Sequence, residues 1–404
     1  MSHSERAVQA RRLTVLFTVT YMVSYMTRIN FGAIVAEMES ATRISRSLLS
    51  MALTGSFAAY GAGQIVSGVC GDRFSPKKLV SCGLAVTVLM NVLLPLCRSP
   101  WQMLAVWCVN GFAQAFLWPP LVVLMATLLS EDDYRKAVVK VSWGSSLGTI
   151  AIYLTAPLVI SALGWKWVFR FSALCGAGMV AVWNRYACEI ERKTVPAART
   201  KGAGRALFTP LMCAVMAAIV LMGMLRDGVT TWMPSYISEV YHFENVISIL
   251  TGVVLPVFGI LCFQAASGLY RKVFPNPVLC AGAIFGVGAA SALALFLLSG
   301  RSAACSVLFS ALLTGCMHGV NLILVSMIPS YFKKYGNVST VSGVLNSCTY
   351  IGSALSAYVV AVLSENLGWH VTLLIWTLVA IAGTAVCFAA AAPWGRRFAG
   401  TDSQ

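Results

Sequence analysis

The sequence predicts an all-α membrane protein, with twelve transmembrane helices in two pseudo-symmetric six-helix bundles. Three observations carry this prediction. Of 404 residues, 58% are hydrophobic and only 11% charged, and the mean hydropathy is +0.78. Soluble domains carry about 25% charged residues, so too few remain here to coat a water-facing surface. Apolar runs long enough to cross a bilayer recur twelve times along the chain. Two pairs of sequence features also repeat at nearly one interval, which divides the chain into halves.

A helix needs about 20 apolar residues to cross the hydrocarbon core. The candidate spans are 13–37, 48–70, 79–97, 101–129, 137–161, 167–187, 207–232, 246–270, 277–299, 303–330, 338–363 and 370–393. The first run is far longer than the apolar region of a signal peptide and lacks a small-residue cleavage site, so it is expected to stay as a helix. Turn signals separate the spans, as at Arg98-Ser99-Pro100 and Pro275-Asn276-Pro277. The longest polar stretch, 188–206, is read as a central cytoplasmic loop between an N-terminal bundle (1–187) and a C-terminal bundle (207–404).

Charge sets the orientation. With the N-terminus in the cytoplasm, 21 Lys and Arg fall in cytoplasmic segments and 6 outside, and two lie within spans. Basic residues accumulate on the cytoplasmic side, so both termini are expected inside the cytoplasmic (inner) membrane. The same rule accounts for the net charge of +15 without a nucleic-acid partner. The 13 cysteines include no C-x-x-C and read as small buried hydrophobes. No Walker-type motif and no nucleophile–base motif appear, so neither ATP nor enzyme catalysis is expected, and no cofactor or metal.

The repeat is specific. Leu163-Gly164-Trp165-Lys166 precedes span 6 and Leu367-Gly368-Trp369-His370 precedes span 12, an offset of 204 residues. Arg28 in span 1 and Arg226 in span 7 lie 198 apart. These two arginines are the foremost functional candidates. Holding an arginine at mid-membrane costs at least about 2.5–3.5 kcal/mol, and its planar fork suits phosphate or carboxylate oxygens. A structural ion pair or snorkelling is the competing explanation. Tyr21 and Tyr25 precede Arg28 by seven and three residues, so helical spacing puts all three on one face. They either contact an anion or pack as aromatics.

Asp227 follows Arg226 directly, and adjacent helix residues do not face each other. It is therefore read as a charge at a broken helix end, or as a partner for a base on another helix, with proton carriage as an alternative. His318 and Asn321 share a face of span 10; the histidine is a second candidate proton carrier, against ordinary interhelical hydrogen bonding. Asn110, Gln114 and Asn346 have that same plain reading. Glu37 is expected at the membrane interface.

The loop after span 2 reads Gly68-Val69-Cys70-Gly71-Asp72-Arg73-Phe74-Ser75-Pro76-Lys77-Lys78. It resembles the G-x-x-x-D-R-x-G-R-[KR] loop of the major facilitator superfamily, with Ser75 and Pro76 departing from the pattern. Four stretches narrow the resemblance to the organophosphate:phosphate antiporters of the glycerol-3-phosphate transporter type. They are Tyr21-x-x-x-Tyr25-x-x-Arg28-x-Asn30-Phe31, then Ala59-Tyr60-Gly61 followed by Gly68 and Asp72-Arg73, then Trp118-Pro119-Pro120, and Arg226-x-Gly228-x-x-x-Trp232-x-Pro234-x-Tyr236. The resemblance implies the major facilitator fold and alternating access. It also implies substrate-binding roles for Arg28, Arg226, Tyr21, Tyr25, Gln64 and Trp118, and gating roles for Gly68, Asp72 and Arg73.

Gln64 stands where such transporters have a lysine, and Leu147 near their histidine, so the site is less positive than theirs. The function implied is secondary transport of a small organic anion, a phosphorylated metabolite or related anion, by a monomer in the lipid bilayer. Inorganic phosphate or protons would be the coupling species. Two alternatives stand beside it: a proton-coupled carboxylate symporter, and a non-transporting membrane sensor of such an anion.

Overall fold

The computed structural model describes residues 3–71, 73–188, 208–243, 251–335 and 338–398. Among them the only regular structure is helical: α1 (His3–Ala33), α2 (Val35–Thr42), α3 (Arg46–Gly71), α4 (Pro76–Leu93), α5 (Pro100–Gln114), α6 (Trp118–Leu128), α7 (Glu131–Leu163), α8 (Lys166–Tyr186), α9 (Pro210–Tyr241), α10 (Val254–Lys272), α11 (Pro277–Leu298), α12 (Ala303–Asn321) and α13 (Val338–Phe398). Every expected span has a helical counterpart; α13 supplies the last two, on either side of Gly368. Eight helical stretches among the described residues are long and apolar enough to cross a membrane. α1 falls short because Arg28, Asn30 and several hydroxyl residues interrupt its apolar stretch. The expected 188–206 loop lies, apart from Cys188, outside the described residues.

The turn signals act as caps. Ser99 forms a capping box with Gln102 ahead of Pro100. Asn276 accepts from the backbone N–H groups of Val278 and Leu279 ahead of Pro277. Ser130, Thr209 and Ser302 cap α7, α9 and α12. Each side chain takes up N–H groups that a helix start leaves unpaired.

Three expectations need correction. The 101–129 run is two helices, because the tandem Pro119-Pro120 lack N–H donors and restart the helix at Trp118. The 303–330 run changes winding after Asn321, passing through a π-helical segment, Leu322–Met327, into a 3₁₀ segment, Ile328–Tyr335. α9 runs unbroken from Pro210 to Tyr241 through Pro234, so Asp227 sits mid-helix and not at a broken end.

The chain divides into two compact units: Met1–Ala197 with Val338–Ser347, and Ala198–Asn337 with Cys348–Gln404. In the first, α1 packs on α7, α3 on α5 and α4 on α8. In the second, α12 packs on α9, α10 and α11.

The two units repeat one local design. Gly164 and Gly368, at the 204-residue offset, share a backbone conformation open to glycine, with φ/ψ of 85°/165° and 79°/171°. The same offset links Gly148 and Gly352. A Cβ on Gly148 would fall 2.3 Å from the Met22 carbonyl oxygen, and one on Gly352 would fall 2.0 Å from that of Val220. Met22 and Val220 are 198 apart, the offset of the two arginines. In each unit, then, the arginine lies six residues beyond the point where its helix meets a glycine backbone to backbone.

Candidate functional site

In the first unit Arg28 lies half-buried near the end of α1. Its guanidinium carbon stands 4.1 Å from the Tyr25 ring centre and 4.7 Å from that of Tyr60. The rings continue as a chain: Tyr21 meets Tyr25 edge-on at 5.1 Å and Trp118 at 4.9 Å. The restart of the helix at Pro119-Pro120 is what delivers Trp118 to this face. Arg28, Tyr25, Tyr21 and Trp118 are therefore brought together as expected, and Tyr60 of α3 joins them. Ring faces attract the cation.

Gln64 follows Tyr60 by one helical turn and is fully buried. Its Nε2 donates to the Ala115 carbonyl at 3.3 Å, and its Oε1 has no hydrogen-bond partner. It is packed against the helix interruption that precedes α6.

Behind Arg28, α1 is gripped by a buried amide network. Asn91 donates to the Thr27 and Thr87 carbonyls, both at 3.0 Å, and accepts from Asn30 at 2.7 Å. Gln114 donates to the Ser24 carbonyl and to Thr27 Oγ1, at 3.1 and 2.8 Å. Asn110 reaches the Thr27 carbonyl at 3.3 Å. This network fixes the turn that carries Arg28. Sequence reasoning treated Asn110 and Gln114 as generic and missed Asn91, whose signal was a lone amide in an apolar run.

In the second unit Arg226 is buried, and the arrangement differs from expectation. Asp227 faces it. Arg226 Nε donates to Asp227 Oδ1 at 2.7 Å and Nη2 to Oδ2 at 2.8 Å, while Nη1 donates to Asn321 Oδ1 at 3.1 Å. The one-residue spacing forbids straight side chains from meeting, but the long arginine stem folds back to close the pair. Ser353 Oγ donates to Asp227 Oδ2, and the Tyr350 ring centre is 5.6 Å from the guanidinium. Tyr350 and Ser353 were not anticipated; their i, i+3 spacing on α13 was the available signal.

His318 lies one turn before Asn321, packs on Phe263 at 5.3 Å, and is within electrostatic reach of Arg226 and Asp227. Winding changes to π-helix immediately after Asn321, a feature frequent at functional sites.

Of the loop motif, Gly68 ends up in close packing. A Cβ on Gly343 would fall 3.1 Å from the Gly68 Cα and 2.4 Å from the Gln64 carbonyl oxygen. Arg73 is exposed in the turn that follows α3, and Ser75 and Pro76 serve as cap and first residue of α4. Asp72 lies outside the described residues. Glu37 is exposed on α2. No group of three His, Cys, Asp or Glu able to hold a metal occurs among the described residues.

A profile of the Major Facilitator Superfamily matches residues 17–354. The membrane sensor protein UhpC of Salmonella typhimurium is 22% identical, over 90% of this chain and 86% of that protein. The glycerol-3-phosphate transporter of Bacillus subtilis is 24% identical, over 60% of this chain and 61% of its own. A probable hexose phosphate transport protein of Chlamydia muridarum is 24% identical over 36% of this chain and 32% of its own. Among solved structures, the proton:xylose symporter XylE bound to 6-bromo-6-deoxy-D-glucose superposes with a TM-score of 0.79 at 11% identity, covering 95% of this chain and 96% of that one.

Proposed function

We propose that this chain, which belongs to the Major Facilitator Superfamily, moves a small organic anion across the cytoplasmic membrane by alternating access, with Arg28 and Arg226 binding the anion. It is a multi-pass membrane protein of the transporter fold, not an enzyme. The observation that carries the substrate reading is the matched register of the two arginines. Each lies six residues past the same glycine crossing, within an apolar span where an arginine is costly to hold. Relatives named for glycerol 3-phosphate and hexose phosphate support an organophosphate or a related anion as the substrate class. Both termini are placed in the cytoplasm on the charge bias alone.

Reconstitution tests this. Proteoliposomes containing the purified protein should take up labelled phosphate monoesters, phosphonates or carboxylates, and an internal pool of the same anion should accelerate uptake. Absence of uptake and of counterflow for all three classes would end the transporter reading.

A second reading has one specific observation in its favour. UhpC, which aligns over most of both chains, is named a membrane sensor. A sensor would bind the anion tightly yet give no counterflow in the same vesicles.

A further inference from the structure

We infer that Asp227 is a tethered competitor for the Arg226 fork, so that each anion engaging Arg226 must bring a proton that neutralises Asp227. This rests on the proposed anion-binding role of Arg226 and names the coupling species for it.

The geometry is the argument. Arginine offers five N–H donors. Asp227 takes the Nε/Nη2 edge with two short bonds, and Asn321 takes a donor of Nη1. The Nε/Nη2 edge is one that a phosphate or carboxylate would use for bidentate binding. An incoming oxyanion therefore meets a site already filled by an oxyanion of the protein. Displaced but still ionised, Asp227 would be a second negative charge beside the substrate in a poorly hydrated place, which is strongly unfavourable.

Protonation resolves the conflict. A proton drawn from water adds to one carboxylate oxygen of Asp227. The ion pair with Arg226 opens, and the fork passes to the substrate anion. Release of the anion lets Asp227 close again on Arg226 and return the proton.

The surroundings suit this exchange. Ser353 on α13 donates to Oδ2 of the ionised carboxylate, and its hydroxyl can accept instead once Asp227 is protonated. The Asp227 side chain is 19% exposed against 6% for Arg226, so the carboxylate is the more accessible member of the pair. Among the described residues, the charged and titratable groups around the pair include Arg226 on its own helix, His318 on α12, and Tyr350 on α13, whose ring faces Arg226. Arg226 is permanently charged, and Asp227 is the carboxylate that holds its Nε/Nη2 edge.

The experiment uses the full-length protein in detergent, with glycerol 3-phosphate as probe. Calorimetry in two buffers of different ionisation enthalpy reads protons taken up on binding at pH 7.5. Wild type should take up about one proton per anion more than Asp227→Asn, and its affinity should weaken about tenfold per pH unit above neutrality. Asp227→Asn should bind more tightly at pH 7.5, with only the slope that the probe's own ionisation imposes. Because that variant can fail to fold, infrared difference spectra of the wild type provide a second reading. A protonated-carboxyl band should appear on adding glycerol 3-phosphate. Binding with equal proton uptake in both proteins, or with no such band in the wild type, overturns the inference and leaves the anion-binding reading standing. Absence of binding by either protein between pH 5.5 and 7.5 overturns both.

Discussion

Arg226 and Asp227 are neighbours in the sequence and partners in space, joined by two bonds of 2.7 and 2.8 Å. Arg28, its counterpart in the other repeat, is held instead between the rings of Tyr25 and Tyr60. The two arginines share a register but not an electrostatic setting. Ring faces hold a guanidinium without competing for its donors, whereas a carboxylate competes for them directly. The repeats have therefore diverged in the partners set around the arginine: aromatic rings beside Arg28, a carboxylate and an amide on Arg226.

Replacing each arginine by lysine tests whether the fork matters as well as the charge. Lysine retains the charge but presents a point cation on a flexible stem. Losing one charge-assisted hydrogen bond costs about 1.5–3 kcal/mol, which is roughly a tenfold to hundredfold loss in anion affinity. Arg28→Lys and Arg226→Lys should each insert normally and lose most transport. Near-normal uptake by both would remove the anion-binding roles.

Tyr60 is buried beneath the Arg28 guanidinium, so its ring and its hydroxyl can be separated. A cation–π contact contributes about 0.5–1 kcal/mol when exposed and about 2 when desolvated. Tyr60→Leu should weaken anion binding several-fold, and Tyr60→Phe, which keeps the ring, should stay within about twofold of wild type. Equal losses in both would transfer the role from the ring to the hydroxyl.

The glycine crossings are testable by the smallest possible change. A methyl group on Gly148 or Gly352 would meet a backbone carbonyl that cannot move aside like a flexible side chain. Overpacking of this kind costs about 1–3 kcal/mol. Gly148→Ala and Gly352→Ala should each lower the detergent melting temperature, and Gly164→Ala should do so through its positive φ, with no clash involved. An unchanged melting temperature in both crossing variants would mean that the helices separate there at no cost.

Much of this was legible in the sequence, for identifiable reasons. Composition and run length dictate a helical membrane protein, and the 204- and 198-residue offsets reappear as matched glycine turns and crossings. The cluster of Tyr21, Tyr25 and Arg28 was legible because helical spacing is local. What escaped was long-range or conformational. Asn91 lies 61 residues beyond Asn30, and nothing local to either predicts the bond. Asp227 was misjudged because the spacing rule treats side chains as short and radial, and an arginine stem is neither. The break before α6 had a local signal in Pro119-Pro120, but the continuous apolar run around them was read as one span.

Asn91 should prove more important than an isolated membrane amide. Interhelical hydrogen bonds in membranes average about 0.6 kcal/mol, but Asn91 makes three bonds, two of them to α1 (Asn30 and the Thr27 carbonyl) and one to the Thr87 carbonyl of its own helix. Asn91→Leu leaves Asn30 Nδ2 without its acceptor, and a buried unsatisfied group costs about 1–3 kcal/mol. The expected result is a clear loss of thermal stability, together with weaker anion binding as the Arg28 turn loosens. Loss of stability with unchanged affinity would show that the network supports the fold and not the site.

Gln64→Lys bears on the charge of the first unit. Gln64 is fully buried, one turn beyond Tyr60, with Nε2 on the Ala115 carbonyl. A lysine there can donate to the same carbonyl, but it adds a positive charge to the unit that carries Arg28. A phosphate monoester carries about −1.5 to −2 charges at pH 7, so the extra cation should favour the dianion over monoanionic phosphonate esters and carboxylates. The same burial makes the lysine costly when the site is empty. The variant should therefore melt at a lower temperature than wild type without ligand and recover more of that loss on adding a phosphate monoester than on adding a carboxylate. An equal recovery with both ligands would mean that position 64 does not sense substrate charge, and that Gln64 serves only to pack α3 against the break before α6.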